Sequence, residues 1–189
     1  MNTLIIIAHP SKYSFSHKIA KKYEETKKKL GDNVRVLDLY KNTKNLPYLS
    51  FTDVRKDFPT SKFIKKCQDD VLWSNEIILI FPMWNGAEPA ILKDWFDVVM
   101  CARFAFKYTG KLMPEPLLSG RIVKIIVTCD GPNWAYKLLG NPLKKMWSTL
   151  RFNLCGIKLK TFITFDKMRL RDDLSKEKLL KKIELISIK

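Results

Sequence analysis

Apolar residues fall into two alternating patterns along the chain. Short unbroken runs, Thr3–Ala8, "EIILIFP" at 76–82 and "RIVKIIVT" at 121–128, read as strands buried on both faces. "NVRVLDLY" at 33–40 and "IKLKTFITF" at 157–165 complete a set of five strands. Between them the apolar spacing changes to that of a helix. The first helix begins near Ser16 as N-cap, places Ile19, Ala20, Tyr23 and Leu30 on one face, and stops at Gly31. "SKFIKKCQDDVLWS" predicts the second, and "PAILKDWFDVVM" the third, with Pro89 in the first turn. A fourth helical stretch covers Asn141–Leu154, and an amphipathic tail helix starts near Asp173. Residues 41–60 form a connection of about twenty residues carrying Pro47 and Pro59, long enough to suggest a function.

Strands alternating with helices predict an α/β fold, a doubly wound five-stranded parallel sheet of order 2-1-3-4-5. The length of 189 residues suits one domain over 1–189, with no repeat or linker. A six-stranded dinucleotide fold would need more chain and a G-x-G-x-x-G fingerprint, which is missing from the sequence.

In such a sheet, ligands bind beyond the carboxyl ends of the strands where the strand order reverses. Three unusual loops should meet there: "HPSKYSFSH" after strand one, "PMWNGAEP" after strand three and "TCDGPNWAY" after strand four. Ser11, Ser14 and Ser16 offer hydroxyls beside a helix start, and His9 adds a ring donor, a set suited to a phosphate monoester. An ordinary serine-capped helix explains the serines equally well. Trp84 and Met83 shift the balance, because a tryptophan in a surface loop calls for something flat to pack on. Gly86 permits close backbone approach, and N–H groups from Trp84 to Gly86 would meet the polar edge of a planar ring such as a flavin. Cys129 has no neighbouring base and is expected to be non-catalytic.

Composition narrows the setting. The chain is 46% hydrophobic and 29% charged, with no apolar run near the length of a bilayer span and no signal-peptide layout at its start, so the expected location is the cytoplasm. Four scattered cysteines make neither a zinc site nor a disulfide framework. The net charge of +16 is spread over many helices, which favours a solvated lysine-rich surface over a nucleic-acid-binding stripe.

The segments "LIIIAHPSKYSFSHKIA", "FPMWNGAEPAILKDWFDVVM" and "ARFAFKY" followed by "LLSGRIVKIIVT" resemble the flavodoxin-like NAD(P)H:quinone oxidoreductases, the group containing DT-diaphorase, drug-activity-modulator reductases and potassium-efflux ancillary subunits. The likeness runs to about Thr128. It implies a flavin, FMN in preference to FAD, NAD(P)H as donor, a quinone-like acceptor, ping-pong turnover and a homodimer. The family's phosphate loop falls on His9, Ser14, Phe15 and Ser16, and its ring-contacting loop on Pro82, Met83, Trp84, Asn85 and Gly86. Its third loop falls on Thr128, Cys129, Asp130 and Gly131, where Cys and Asp replace a usual Thr and Gly. Trp84, Phe106, Trp134 and Tyr136, with Phe104, would wall the substrate pocket; no side chain is required as nucleophile. Two alternatives stand beside this reading: a flavodoxin-type electron carrier, which the basic charge disfavours, and a regulatory subunit of a membrane transporter.

Overall fold

The computed structural model describes residues 1–53, 58, 60–110 and 112–188. The parts of the 41–60 connection at 54–57 and 59, Pro59 included, lie outside the described residues. Five parallel strands form the main sheet: β1 (Asn2–Ile7), β2 (Asn33–Asp38), β3 (Glu76–Pro82), β6 (Ile122–Thr128) and β7 (Lys158–Phe165). Their order is β2-β1-β3-β6-β7, the expected 2-1-3-4-5 once two short strands are counted in chain order. Those two, β4 (Phe106–Lys107) and β5 (Glu115–Pro116), pair antiparallel outside the main sheet.

Every residue of the central strand β3 is buried. Its side chains alternate between the two faces, so one apolar run serves two cores. Ile77, Leu79 and Phe81 join a core with Leu92, Trp95, Trp147 and Phe152. Ile78 and Ile80 join Ile19, Ala20, Tyr23 and Ile183 on the other side. The first core is covered by α2 (Lys62–Trp73), α3 (Ala90–Val99) and the chain around 142–155; the second by α1 (Phe15–Lys29) and α7 (Asp173–Ile188).

Three elements differ from the sequence expectation. Strand β2 stops at Asp38, whose carboxylate accepts the Tyr40 N–H and starts a 3-10 segment over Leu39–Asn45. The expected helix at 141–154 is a composite: α5 (Pro142–Lys145), a π-helical stretch Met146–Phe152, and α6 (Asn153–Cys155), closed by Gly156 at φ 78°. A further short helix, α4 (Asn133–Leu138), precedes it, with the Asn133 N–H bonded to Asp166 Oδ2 at 2.9 Å. The last arrangement depends on a residue 33 positions away and so has no local sequence signal.

One buried ionic cluster lies across the sheet. Glu76, fully buried, meets Lys124 Nζ at 2.8 Å and Lys27 Nζ at 2.9 Å. Lys124 also donates to Tyr23 Oη at 3.2 Å and to the Ile186 carbonyl at 2.9 Å, tying β6 to α1 and α7. Burial lowers the Lys124 ammonium from its ordinary range, and Glu76 opposes that shift. Among the described residues no helix is long and apolar enough to cross a membrane.

Candidate functional site

The strand order reverses between β1 and β3, and the chain leaving β1, β3, β6 and β7 gathers at that edge. Backbone bonds lock the loops together: Ala8 N–H to Ile80 O at 3.0 Å, Met83 N–H to Thr128 O at 2.8 Å, and Cys129 N–H to Phe165 O at 2.9 Å. A cleft of about 370 Å³ opens between them. His9, Ser14, Phe15 and Ser16 line one end, Pro82, Met83 and Trp84 a side, and Thr128, Cys129 and Asp130 the floor and far rim.

At the first end the helix cap is Ser14, not Ser16; its Oγ accepts the His17 N–H at 3.3 Å. The physical reason is position, since Ser16 is buried in the first turn with its hydroxyl 3.5 Å from Thr128 Oγ1. The first backbone bond of α1 runs from Lys18 N–H to Ser14 O, so the N–H groups of Phe15 and Ser16 precede it. No acidic residue stands in this first turn. His9 accepts the Ser11 N–H on Nδ1 at 3.0 Å, which leaves Nε2 as the protonated nitrogen of the neutral ring. Burial, with the charge of His17 second, holds His9 below the usual histidine range. Phe15 packs its ring into the core beneath the loop.

Along the side, Trp84 stands 44% exposed with its ring 6.0 Å from that of His9. It opens a two-residue turn: Trp84 N–H meets Ala87 O at 2.9 Å and Ala87 N–H meets Trp84 O at 3.0 Å. Asn85 and Gly86 both have positive φ, 51° and 79°, as an Asn-Gly turn of this kind requires. The Trp84 N–H is therefore committed to the turn, while those of Asn85 and Gly86 take no part in the pair. Asn85, Gly86 and Gly131 do not line the cleft itself.

At the far rim Asp130 faces Arg169, accepting its N–H at 2.9 Å and meeting its Nε at 2.8 Å. The Asp130 carboxylate thus carries its own counter-charge. Cys129 is buried, and burial with the nearby Asp166 and Asp130 pushes its thiol up to about 11, so it stays protonated at neutral pH. Tyr136 lies over Gly131, its hydroxyl where a Cβ would come, so a larger residue there would push the ring aside. Trp134 is 67% exposed and, like Tyr136, does not line the cleft. Phe106 lines a separate apolar groove of about 710 Å³, and Phe104 packs against the core.

Tyr13, Met168, Arg169 and Lys176 also line the cleft, and the sequence reading assigned them nothing. The last three follow β7, whose carboxyl end reaches the same edge; the strand order alone contained that signal. Among the described residues no group of three or more metal-ligating side chains is assembled.

Comparison with known proteins accords with this geometry. The family model described as flavodoxin-like fold matches residues 1–185. An uncharacterized NAD(P)H oxidoreductase of Haemophilus influenzae is 31% identical over 185 residues, covering 95% of this chain and 91% of that one. An FMN-dependent NADH:quinone oxidoreductase of Pseudomonas fluorescens is 35% identical over 107 residues, 56% of this chain and 51% of the relative, so the matched region spans about half of that protein. The crystal structure of Smu.1420 from Streptococcus mutans superposes with a TM-score of 0.85 at 29% identity, covering 99% and 98% of the two chains. With the matched region spanning almost its whole length and the sheet order in agreement, the chain belongs to the flavodoxin-like fold family.

Proposed function

We propose that the protein is an FMN-dependent oxidoreductase that takes a hydride from NADH or NADPH and passes two electrons to a quinone-like acceptor. The observation that carries this reading is the joining, in one cleft, of an acid-free helix terminus with hydroxyls and an exposed tryptophan wall. The donor set fits the cofactor. Ser14, Ser16 and the free N–H groups at the start of α1 suit a phosphate, and His9 can donate from Nε2. Met83 and Trp84 suit a flat apolar ring, and about 370 Å³ lies within the range of small-molecule pockets. The relatives' names point the same way.

When bound, FMN supplies the hydride-accepting and electron-donating chemistry. The chain holds and orients it. Hydroxyls and N–H groups would bind the phosphate, while Gly86, with no side chain, would let the turn's backbone come close to the ring. With FMN bound, Arg169, 2.8 Å from Asp130, would offset part of that carboxylate's charge at the rim of the ring's site. With FMN seated there, the open side of the cleft beside Trp84 would admit nicotinamide and acceptor one after the other, a ping-pong order.

The apolar groove of about 710 Å³ lined by Phe96, Met100, Phe106, Tyr108, Leu150 and Leu154 is proposed as the seat of a second copy of the chain. Tyr108 is 75% and Leu150 66% exposed there, which supports an interface. Free cysteines, three of them buried, are consistent with the reducing cytoplasm.

The test is a visible spectrum of the purified full chain with the released flavin identified. Yellow absorbance that bleaches on NADH or NADPH and returns on adding a quinone is expected, with a dimer by light scattering. A colourless protein that FMN does not stain overturns the reading.

A further inference from the structure

His17 is engaged at both ring nitrogens. Its Nε2 lies 3.1 Å from Asp38 Oδ2, and its Nδ1 lies 3.0 Å from the hydroxyl of Ser14. Both side chains of the His17–Asp38 pair are mostly shielded from solvent. A carboxylate only accepts, so the proton in the first bond sits on Nε2, and in the neutral ring Nδ1 is an acceptor. Ser14 Oγ already accepts the His17 N–H as helix cap.

These contacts force a choice on one hydroxyl. While His17 is neutral, Ser14 gives its single proton to Nδ1 and turns only a lone pair toward the cleft that it lines. Once His17 is protonated, Nδ1 becomes a donor to Oγ, and the Ser14 proton is released toward the cleft. An anionic oxygen is repelled by the first arrangement and bound by the second, with a charge-assisted bond behind it.

We propose that His17 is a proton-linked positioning residue for the phosphate end of the cleft. Binding of a phosphate monoester takes one proton from solvent onto His17 Nδ1 and converts Ser14 Oγ from acceptor to donor. The inference rests on the FMN reading above, since FMN supplies that phosphate.

The surroundings set the direction of the linkage. Asp38, at the end of β2, sets its carboxylate 3.1 Å from Nε2, and a bound phosphate would bring a second negative charge to the Nδ1 side. Lys41 Nζ lies 3.8 Å from the same Asp38 oxygen, and Lys18 and Lys21 of α1 are exposed, Lys21 beside Glu25. His9 stands edge-on at 6.4 Å, but burial keeps it neutral to lower pH, so the two rings do not compete for one proton. FMN affinity is therefore expected to rise as pH falls, because the Nδ1 proton is needed to turn the Ser14 hydroxyl toward the cleft.

The test uses the full chain freed of flavin, titrated calorimetrically with FMN and with riboflavin in buffers of unlike ionisation enthalpy. Above pH 7 the phosphate is itself a dianion, its second pKa being about 6, so uptake there belongs to the protein. FMN is expected to take up close to one proton, with affinity falling by up to about tenfold per pH unit, the limit for single-proton linkage. Riboflavin and the His17→Asn variant, whose amide cannot titrate, should take up none. FMN binding without proton uptake, or uptake that survives in His17→Asn, overturns the inference and leaves the flavin reading intact. Uptake abolished by His9→Gln but not by His17→Asn overturns it too. Failure of FMN to bind at any pH removes the cofactor reading and the inference with it. Should His17→Asn not fold, the imidazole of wild-type His17 is followed by nuclear magnetic resonance. A titration midpoint raised by FMN and unmoved by riboflavin is the expected result, and one unmoved by FMN overturns the proposal.

Discussion

Replacing Trp84 with alanine tests the wall of the cleft directly. Trp84 keeps 44% of its surface exposed although the rest of the loop is tied down. A tryptophan buries about 150–250 Å² when fully covered, so the part still open amounts to roughly 70–110 Å². At about 25 cal/mol per Å², covering it contributes roughly 1.8–2.8 kcal/mol, or about 20- to 90-fold in affinity. Trp84→Ala is expected to raise the FMN dissociation constant by that factor, measured by quenching of flavin fluorescence on titration into the flavin-free chain. The backbone pair of the turn involves Trp84 N–H and O, which alanine retains, so the turn itself is kept while the loss of the ring's covered part lowers the melting temperature. Riboflavin distinguishes ring from phosphate. Trp84→Ala should weaken FMN and riboflavin alike, whereas Ser14→Ala should weaken FMN by about 1.5–3 kcal/mol, the value of a hydrogen bond to a charged group, and leave riboflavin nearly unchanged. FMN bound by Trp84→Ala within twofold of wild type would refute the placing of the ring against Trp84.

Three further outcomes follow from other parts of the structure. Glu76→Gln removes the charge shared by Lys124 and Lys27 and leaves the buried Lys124 ammonium without a carboxylate, while Lys27 keeps Asp32 at 3.0 Å, so unfolding in urea should show a loss of about 3–5 kcal/mol. Gly156→Ala meets Ser119 Oγ at 2.4 Å and Pro116 Cβ at 2.9 Å from a backbone at φ 78°, and should cost more than about 1 kcal/mol in the same assay. For His9 the folded value lies below 6.5, so between the two values the unfolded chain holds a proton that the folded chain does not. Stability should therefore fall as pH drops below 6.5 and level off once pH passes the folded value; thermal unfolding of wild type and His9→Gln across that range should show the slope reduced in the variant.

Much of the fold was legible because its signals are local. The unbroken apolar run of β3 announced a strand covered on both faces, and both cores draw on it. The Trp84–Ala87 turn also had a local signal, since Asn-Gly favours two positive φ values. Reading that pair more closely would have shown that the Trp84 N–H belongs to the turn. The capping serine was misplaced by two residues because Ser14 and Ser16 are equally good cap types; the distant Thr128 is what draws Ser16 inside. Phe106 and the cleft face different regions, a fact invisible to a count of aromatics. Met168 and Arg169 were missed for the opposite reason, because nothing in "DKMRLRD" is unusual until β7 is known to end at the cleft.

By itself, the order of residues determined which segments become strands and helices, for those choices rest on periodicity and turn chemistry within a few neighbouring positions. The tertiary structure alone decided that Asp130 would be answered by Arg169, that His17 would stand between Ser14 and Asp38, and that four loops would enclose one cleft. Those contacts join residues brought together by strand order and by the packing of helices on both faces, and that pairing is a property of the assembled sheet as a whole.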